Sequence, residues 1–379
     1  MTTLAERMAA ELRALDAERL PAAALAKAKL CVLDFLACAL ASRELPWSRQ
    51  AVAAACASSA GAAQAAATIV GTEHAVAASD AAFANAVLAH ALVRDDMHLG
   101  SVSHLGCVVL PVLLAAAERE RVTGARLLAA LVAGYEAGGR LGRMILDVEI
   151  ARIFRPTGIT GPFAGAAAGA KLLGLDTAPF AVALELAANM AAGYNEWAAT
   201  GGSEMFFHPG LAARNALTAV ELAARGAYAS PTALEGDAGL LAAFGKSRGW
   251  EPLPQGPQNQ LEILSVFFKE VPACNFAQTA AQAARALAVR EKLDSGALER
   301  VIVRVPYAAA NYPGCDCAGP FAHVLQAKMS IQYNVAAALC TRTFEERNYE
   351  PARNAEILRV TRLAAVAVDE ALTRARAVS

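Results

Sequence analysis

The chain has 379 residues, 56% of them hydrophobic and 18% charged, which supplies a large core or two domains of ordinary size and excludes a disordered chain. Lys and Arg together number 34 against 35 Asp and Glu, so there is no net basic field to attract phosphate backbones, and nucleic acid is not an expected partner.

The opening segment MTTLAERMAAELRALDAERL carries charges throughout and lacks the basic, then apolar, then small-residue order of a secretory signal, which points to a cytoplasmic protein. From Leu4 to about Gly245 the sequence is a succession of Ala- and Leu-rich amphipathic segments broken by Gly, Pro or Ser, with almost no alternating β-branched runs. The pattern predicts helices over 4–15, 21–42, 47–58, 79–93, 107–119, 124–145, 161–173, 178–192, 209–226, 231–236 and 238–245, and hence an all-α domain. The most apolar windows, 30–41 and 107–117, are too short or too interrupted to cross a bilayer, so no membrane association is expected. The small side chains of residues 164–170 let helix axes approach closely and put that helix at the centre of the bundle. Gly158-Ile-Thr-Gly161 looks superficially like a phosphate loop, but no strand precedes it and no P-loop Lys-Ser/Thr follows.

Between Trp250 and Gln260 the composition changes to the proline-rich EPLPQGPQNQ, read as a domain boundary that divides the chain into residues 1–255 and 256–379. The second module holds the apolar run Leu264–Phe268, a predicted helix over 277–289, the alternating strand pattern Arg300–Pro306, and predicted helices near 324–341 and 353–373. The fold class expected is therefore mainly α: a large all-α domain and a smaller α+β one.

Three of the six histidines and an Asp pair crowd into residues 83–111. Desolvating such groups costs several kcal/mol (~2–7) unless they are paired, so this stretch is the first candidate for chemistry. Asp95 and Asp96 end one helical pattern, and His98 and His104 sit in a Gly- and Ser-containing loop leading to the next. An Asp within reach of a His fixes its tautomer and raises its basicity toward working pH, making a general acid–base pair. His90 falls inside a helical pattern and reads as a hydrogen-bonded core residue. A metal reading of His98, His104 and an Asp lacks the helical H-x-x-x-H pair, and none is expected.

Elsewhere, Lys269 emerges from a buried run and suits a clamp on a substrate carboxylate or a developing enolate, with an ion pair to Glu270 as the plain alternative. Arg155 and His208 each fall near a helix N-terminus, where anions are favoured, so that Arg155 can bind a carboxylate and His208 help orient it. The cysteines, at 31, 38, 56, 107, 274, 315, 317 and 340, mostly stand singly in apolar segments. Cys315-Asp316-Cys317 with His323 is the one metal-like grouping, but no second close pair completes it, and it reads as a turn after Pro313-Gly314.

Six segments carry a resemblance to a known family: LCVLDFLACALAS (30–42), FANAVLAHALVRDDMHLGSVSHLGCVVLPVLLAAAE (83–118), TGITGPFAGAAAGAKLLGL (157–175), HPGLAARNA (208–216), FFKEVPACNFAQTA (267–280) and MSIQYNVAAAL (329–339). Together they resemble the MmgE/PrpD proteins, the group of 2-methylcitrate dehydratase, cis-aconitate decarboxylase and iminodisuccinate epimerase. The resemblance implies a large helical domain, a smaller α+β lid, a homodimer, no cofactor, and an active site at the domain junction to which the lid carries Lys269; the last helix of 256–379 either stays with the lid or returns to the helical body. It also implies proton removal next to a carboxylate, followed by loss of water, loss of carbon dioxide or return of the proton to the other face.

Several positions depart from the family pattern. Relatives typically read D-F-D-D-T-H where this chain has Val93-Arg94-Asp95-Asp96-Met97-His98, and Arg155 stands for a histidine before P-T-G. Met205 stands for a lysine, and Leu105 for a proline after His104. A pocket formed with Val93, Met97 and Met205 is less polar, costing a polycarboxylate about 1.5–3 kcal/mol for each lost charged hydrogen bond. The chain also stops at Ser379, where relatives usually add lid strands, so a trimmed lid is expected.

The function expected is a cofactor-independent lyase or isomerase acting on a small carboxylic acid or an activated carbonyl compound, dehydration being the default and epimerisation or decarboxylation the alternatives. His104 is assigned as acid or base, with Asp96 or Asp95 as its partner and Lys269 completing the catalytic set. Arg155, His98, His208, Met205, Val93, Met97 and Tyr333 are assigned to substrate, although Tyr333 and Tyr307 also suit packing roles. The competing expectation is a silent binding protein on the same fold; a metal-dependent hydratase is a third.

Overall fold

The computed structural model describes residues 2–60, 67–120, 122–246, 261–350 and 354–378, and the chain divides into two compact units. The expected boundary at 251–260 lies outside the described residues. One unit comprises Met1–Ala91, Asp95–Gly193 and Phe206–Phe268; the other comprises Leu92–Arg94, Tyr194–Met205 and Lys269–Ser379.

The first unit is helical, as its periodicity predicts. Helix Leu4–Arg13 opens with a capping box in which Thr3 and Glu6 satisfy each other's backbone N–H groups. Helix Gly124–Ile145 is capped by Thr123, whose hydroxyl accepts from the Arg126 N–H. At its centre lies helix Pro156–Leu173, which starts with proline at its first turn and stops at Gly174 in the left-handed conformation (φ 70°). This helix packs on Gly106–Glu120, Gly124–Ile145 and Thr177–Ala188. Small residues make that possible: a Cβ on Gly165 would stand 2.7 Å from the Ala216 Cβ, and one on Gly169 would stand 3.1 Å from Val220. Two antiparallel strand pairs complete the unit. Ala67–Thr68 pairs with Ala75–Val76, and Met97–His98 pairs with Val266–Phe267.

The second unit is mixed. Helix Ile331–Thr341 packs against both Gln278–Arg290 and Ala355–Leu363. Val301–Val305 and Ala364–Val368 form a parallel two-stranded ribbon with Val301 opposite Ala364. Its chain entry at Leu92–Arg94 is held unusually: Val93, a β-branched residue, has φ 59°, a conformation that costs about 1–3 kcal/mol. The Lys269 ammonium donates to the Val93 carbonyl (2.6 Å) and the Lys328 ammonium to the Leu92 carbonyl (3.0 Å).

The apolar run 264–268 spans the end of a short 3-10 turn and a two-residue strand. Three expectations need correction. Residues 231–236 form turns, because Gly236 N–H closes back on the Thr232 carbonyl. The helix expected over 324–341 breaks at Ser330, whose hydroxyl caps the following helix by accepting from Tyr333 N–H. Within 353–373, residues Ala364–Val368 are strand, because Val301–Val305 offers them a ladder. No helix among the described residues is long and apolar enough to cross a membrane.

Gly165→Ala tests the close packing. Its gain of about 1 kcal/mol in helix propensity is set against overpacking of about 1–3 kcal/mol, so urea denaturation is expected to show a net loss of up to about 2 kcal/mol.

Candidate active site

The site is built on the chain between two buried helices, Ala78–His90 and Gly106–Glu120, and on the first turn of Pro156–Leu173. Asp95 is its centre. One carboxylate oxygen lies 2.9 Å from His90 Nδ1, and the other lies 3.2 Å from His104 Nδ1. The two rings meet edge to face at 4.7 Å, and all three side chains are buried.

The proton positions follow from the partners. A guanidinium can only donate, and Arg155 Nη2 stands 2.9 Å from His90 Nε2, so that nitrogen is an acceptor and the His90 proton sits on Nδ1, facing Asp95. His90 is thus held as one neutral tautomer. Burial opposes the charge on Asp95, but the His104 and His90 rings outweigh it and hold its carboxyl well below the usual carboxylate range. His104 Nδ1 faces the other oxygen of the same carboxylate, which favours a proton on that nitrogen and leaves Nε2 as its second ring position.

Neighbours fix the frame. The Thr157 hydroxyl accepts from the His104 N–H (3.0 Å), and the Cys107 thiol donates to the His104 carbonyl (3.3 Å). Thr160 donates to the Ser103 hydroxyl (3.0 Å), tying the loop to the same helix turn. Arg155 N–H donates to the Gly193 carbonyl, and a Cβ on Gly193 would stand 3.2 Å from Arg155 and 3.4 Å from His208 Nδ1. His208 is half-buried, and burial followed by the Arg155 guanidinium lowers its pKa to about 4, so it is neutral at pH 7.

The adjacent Asp96 serves a different set of partners. Its Oδ1 accepts from Gly106 N–H at the start of the next helix (3.1 Å), and its Oδ2 accepts from the Tyr135 hydroxyl. Burial is the main influence on it and raises its pKa to about 6. Of the aspartate pair, Asp95 is the one that meets the imidazoles.

Other expected site residues lie in other settings. His98 Nδ1 accepts from the Ser101 N–H (3.1 Å), so its proton is on Nε2, 2.8 Å from Glu262. Arg143 pairs with the same carboxylate at 3.0 Å. Met97 is buried opposite Phe267 in the short strand pair.

In the second unit, Lys269 Nζ donates to the Val93 and Ala273 carbonyls. Met205 is buried, and the Tyr333 hydroxyl donates to the Asn348 carbonyl (2.8 Å). Tyr307 is 46% exposed, near the end of the ribbon strand. Of the Cys315–Cys317 turn, Asp316 binds Gln332 and His323 caps a helix, which gives no shared ligand set.

One His/Asp/Cys grouping among the described residues has metal-ligand spacing: His90, Asp95 and Cys107, with ligand atoms all within 4.8 Å. Its donor chemistry fits a metal poorly, because His90 Nδ1 carries the proton that faces Asp95, and burial followed by Asp95 pushes the Cys107 thiol well above its usual range.

Sequence reasoning ranked His90 as a core residue and overlooked Lys328. The spacing of His90 five residues before Asp95 was the available signal for the first. Lys328, wholly buried among Leu92, Pro272 and Glu346, sits in the apolar setting AKMSIQYN and gave none.

Comparison with known proteins agrees with this architecture. Residues 6–253 match the MmgE/PrpD N-terminal domain, and residues 271–378 match the MmgE/PrpD C-terminal domain. The chain is 31% identical over 258 residues to cis-aconitate decarboxylase of Aspergillus terreus, covering 66% of this chain and 51% of that protein. It is also 31% identical over 223 residues to the cis-aconitate decarboxylase-like protein oryM of Aspergillus oryzae, covering 55% of this chain and 44% of that protein. The chain thus spans about half the length of the curated relatives it matches.

The raised Asp96 pKa has a measurable consequence. Because the folded value, about 6, exceeds the unfolded one, its contribution to stability is full below about pH 4 and falls away as pH rises through 6. Asp96→Asn removes that titration. Its stability relative to the parent is expected to improve between pH 4 and 7 by on the order of 3 kcal/mol, and a pH-independent difference in denaturation midpoints would refute the assignment.

Proposed function

This chain belongs to the MmgE/PrpD family, and we propose that it is a cofactor-independent lyase acting on a small organic acid, with His104 as the proton-transferring group. The observation that carries this reading is the Asp95 carboxylate shared by two imidazoles, one of which Arg155 keeps neutral. Only His104 is then left to change its protonation state, and the Asp95 anion stabilises the imidazolium that forms.

In the forward step, His104 Nε2 takes the proton from the carbon next to a carboxylate, and the electron pair moves toward that carboxylate. The His104 imidazolium then gives that proton to the β-hydroxyl, the C–O bond breaks, water leaves, and the electron pair held by the carboxylate returns to form the double bond. For decarboxylation the order differs: the C–C bond to the departing carboxylate breaks, carbon dioxide leaves, and the carbanion takes its proton from His104. Dehydration is the expectation from sequence. Decarboxylation gains support from the names of the two Aspergillus relatives, so the reaction is assayed for both.

Arg155 is the fixed cation at the cluster, and it suits a single anchoring carboxylate. Because the family resemblance implies charged groups where this chain has Val93 and Met205, an acid with fewer carboxylates than citrate is the proposed substrate class.

A panel of small acids incubated in deuterated water, followed by NMR for α-carbon exchange and by carbon dioxide release, tests the proposal. His104→Gln and Asp95→Asn are each expected to lower turnover by about 10²–10⁴-fold. Unchanged exchange in His104→Gln would sink it. The second reading, a silent binding protein, draws on Lys269, whose ammonium holds two backbone carbonyls. Its signature is an acid that binds yet shows neither exchange nor product.

We also propose a homodimer, supported by Leu30, Leu33 and Leu40, which stand 45–63% exposed along helix Ala22–Ala41. Light scattering is expected to give twice the chain mass for the parent and the monomer mass for Leu33→Glu; a monomeric parent would end this assignment.

A further inference from the structure

The second unit contains a pair of thiols that the proposed reaction does not use. Cys274 Sγ and Cys315 Sγ lie 3.6 Å apart, with Cys274 6% exposed and Cys315 wholly buried. Both backbones are fastened to one short stretch: Cys274 N–H donates to the Lys328 carbonyl (2.9 Å), and Ile331 N–H donates to the Cys315 carbonyl (2.8 Å). The pair is therefore pre-positioned, because neither main chain can drift from the other without breaking these bonds. A disulfide needs sulfurs about 2.05 Å apart, and closing the remaining gap asks for side-chain rotation, with the anchoring bonds left in place.

We propose that Cys274 and Cys315 form a reversible disulfide when the protein meets a peroxide. The step balances as two thiols and one hydrogen peroxide giving one disulfide and two waters. Cys274, the one with residual exposure, attacks a peroxide oxygen as thiolate. The O–O bond breaks, the sulfur becomes a sulfenic acid, and the first water leaves. The Cys315 sulfur then attacks the Cys274 sulfur, the S–S bond forms, and the expelled hydroxide takes up the thiol proton as the second water. Sulfur is oxidised and peroxide oxygen is reduced.

The location gives the bond a consequence. Pro272 and Ala273, immediately before Cys274, offer their carbonyls to the Lys328 and Lys269 ammonium groups. A cross-link at 274 would stiffen the turn that receives both buried lysines. Burial, with Cys274 beside it, pushes the Cys315 thiol well above its ordinary range, in keeping with a slow reaction that speeds up at alkaline pH.

Mass spectrometry of the full chain tests this. After graded hydrogen peroxide and alkylation of remaining thiols, an unreduced digest is expected to join the peptide carrying Cys274 to that carrying Cys315. Bond formation is expected to be several-fold faster at pH 9 than at pH 7.5, and dithiothreitol is expected to reverse it. Because Cys317 shares a peptide with Cys315, Cys317→Ser is analysed in parallel and is expected to keep the link. Loss of the link in Cys317→Ser, or over-oxidation of Cys274 without any cross-link in the parent chain, would overturn the proposal. The parent and Cys317→Ser both leave the buried pair intact, so the test does not depend on a core-cysteine variant folding.

Discussion

A single buried carboxylate, Asp95, organises the centre of the helical unit. An anion excluded from water needs compensation of several kcal/mol, and here two imidazole N–H groups supply it. Because both rings turn their Nδ1 toward Asp95, their outer nitrogens are defined without further choice. Arg155 then separates them by occupying the outer nitrogen of His90. Two histidines that look equivalent in composition thereby meet different partners, His90 between Asp95 and Arg155, and His104 between Asp95 and the Thr157 hydroxyl at its backbone N–H.

The surroundings explain why the arrangement is specific to this segment. The backbone of His104 is gripped on both sides, by Thr157 at its N–H and by Cys107 at its carbonyl. Helix Pro156–Leu173, which supplies Thr157 and follows Arg155, can stand this close because its glycines and alanines admit its neighbours. Core packing therefore sets the ring positions. A second polar set, with His98 between Ser101 and Glu262, secures the other end of the same loop, and Glu262 stays charged against its burial because His98 and Arg143 outweigh that cost. Adjacent aspartates with opposite shifts complete the division of labour: the imidazoles hold Asp95 down against its burial, whereas burial pushes Asp96 up although Tyr135 donates to it.

Much of this was legible before any coordinates. Apolar periodicity located the long helices to within a few residues, and the run of small residues at 164–170 announced the central one. The concentration of His and Asp in 83–111 marks the segment that holds the buried His90–Asp95–His104 cluster. Three things were hidden. Which aspartate faces the imidazoles depends on the path of an irregular stretch, and neighbouring residues there give no periodic clue. His90 looks like a core residue because it is one, and its role comes from partners at positions 95 and 155. The strand Ala364–Val368 is composed of alanines and valines that suit a helix equally well, and only its partner at 301–305 decides the matter.

That ribbon bears on how the protein behaves when stressed. Among the described residues its sheet ends after two strands, and Ile302 and Val368 are half exposed along it. Every strand in such a pair has a flank on which no further strand lies, the geometry that templates pairing between molecules. Arg304, exposed on the same strand and 4.0 Å from Asp369, places charged groups at this surface, a feature that discourages edge pairing. Replacing it with an apolar residue would remove a guard against self-association in a region remote in sequence from His90 and His104.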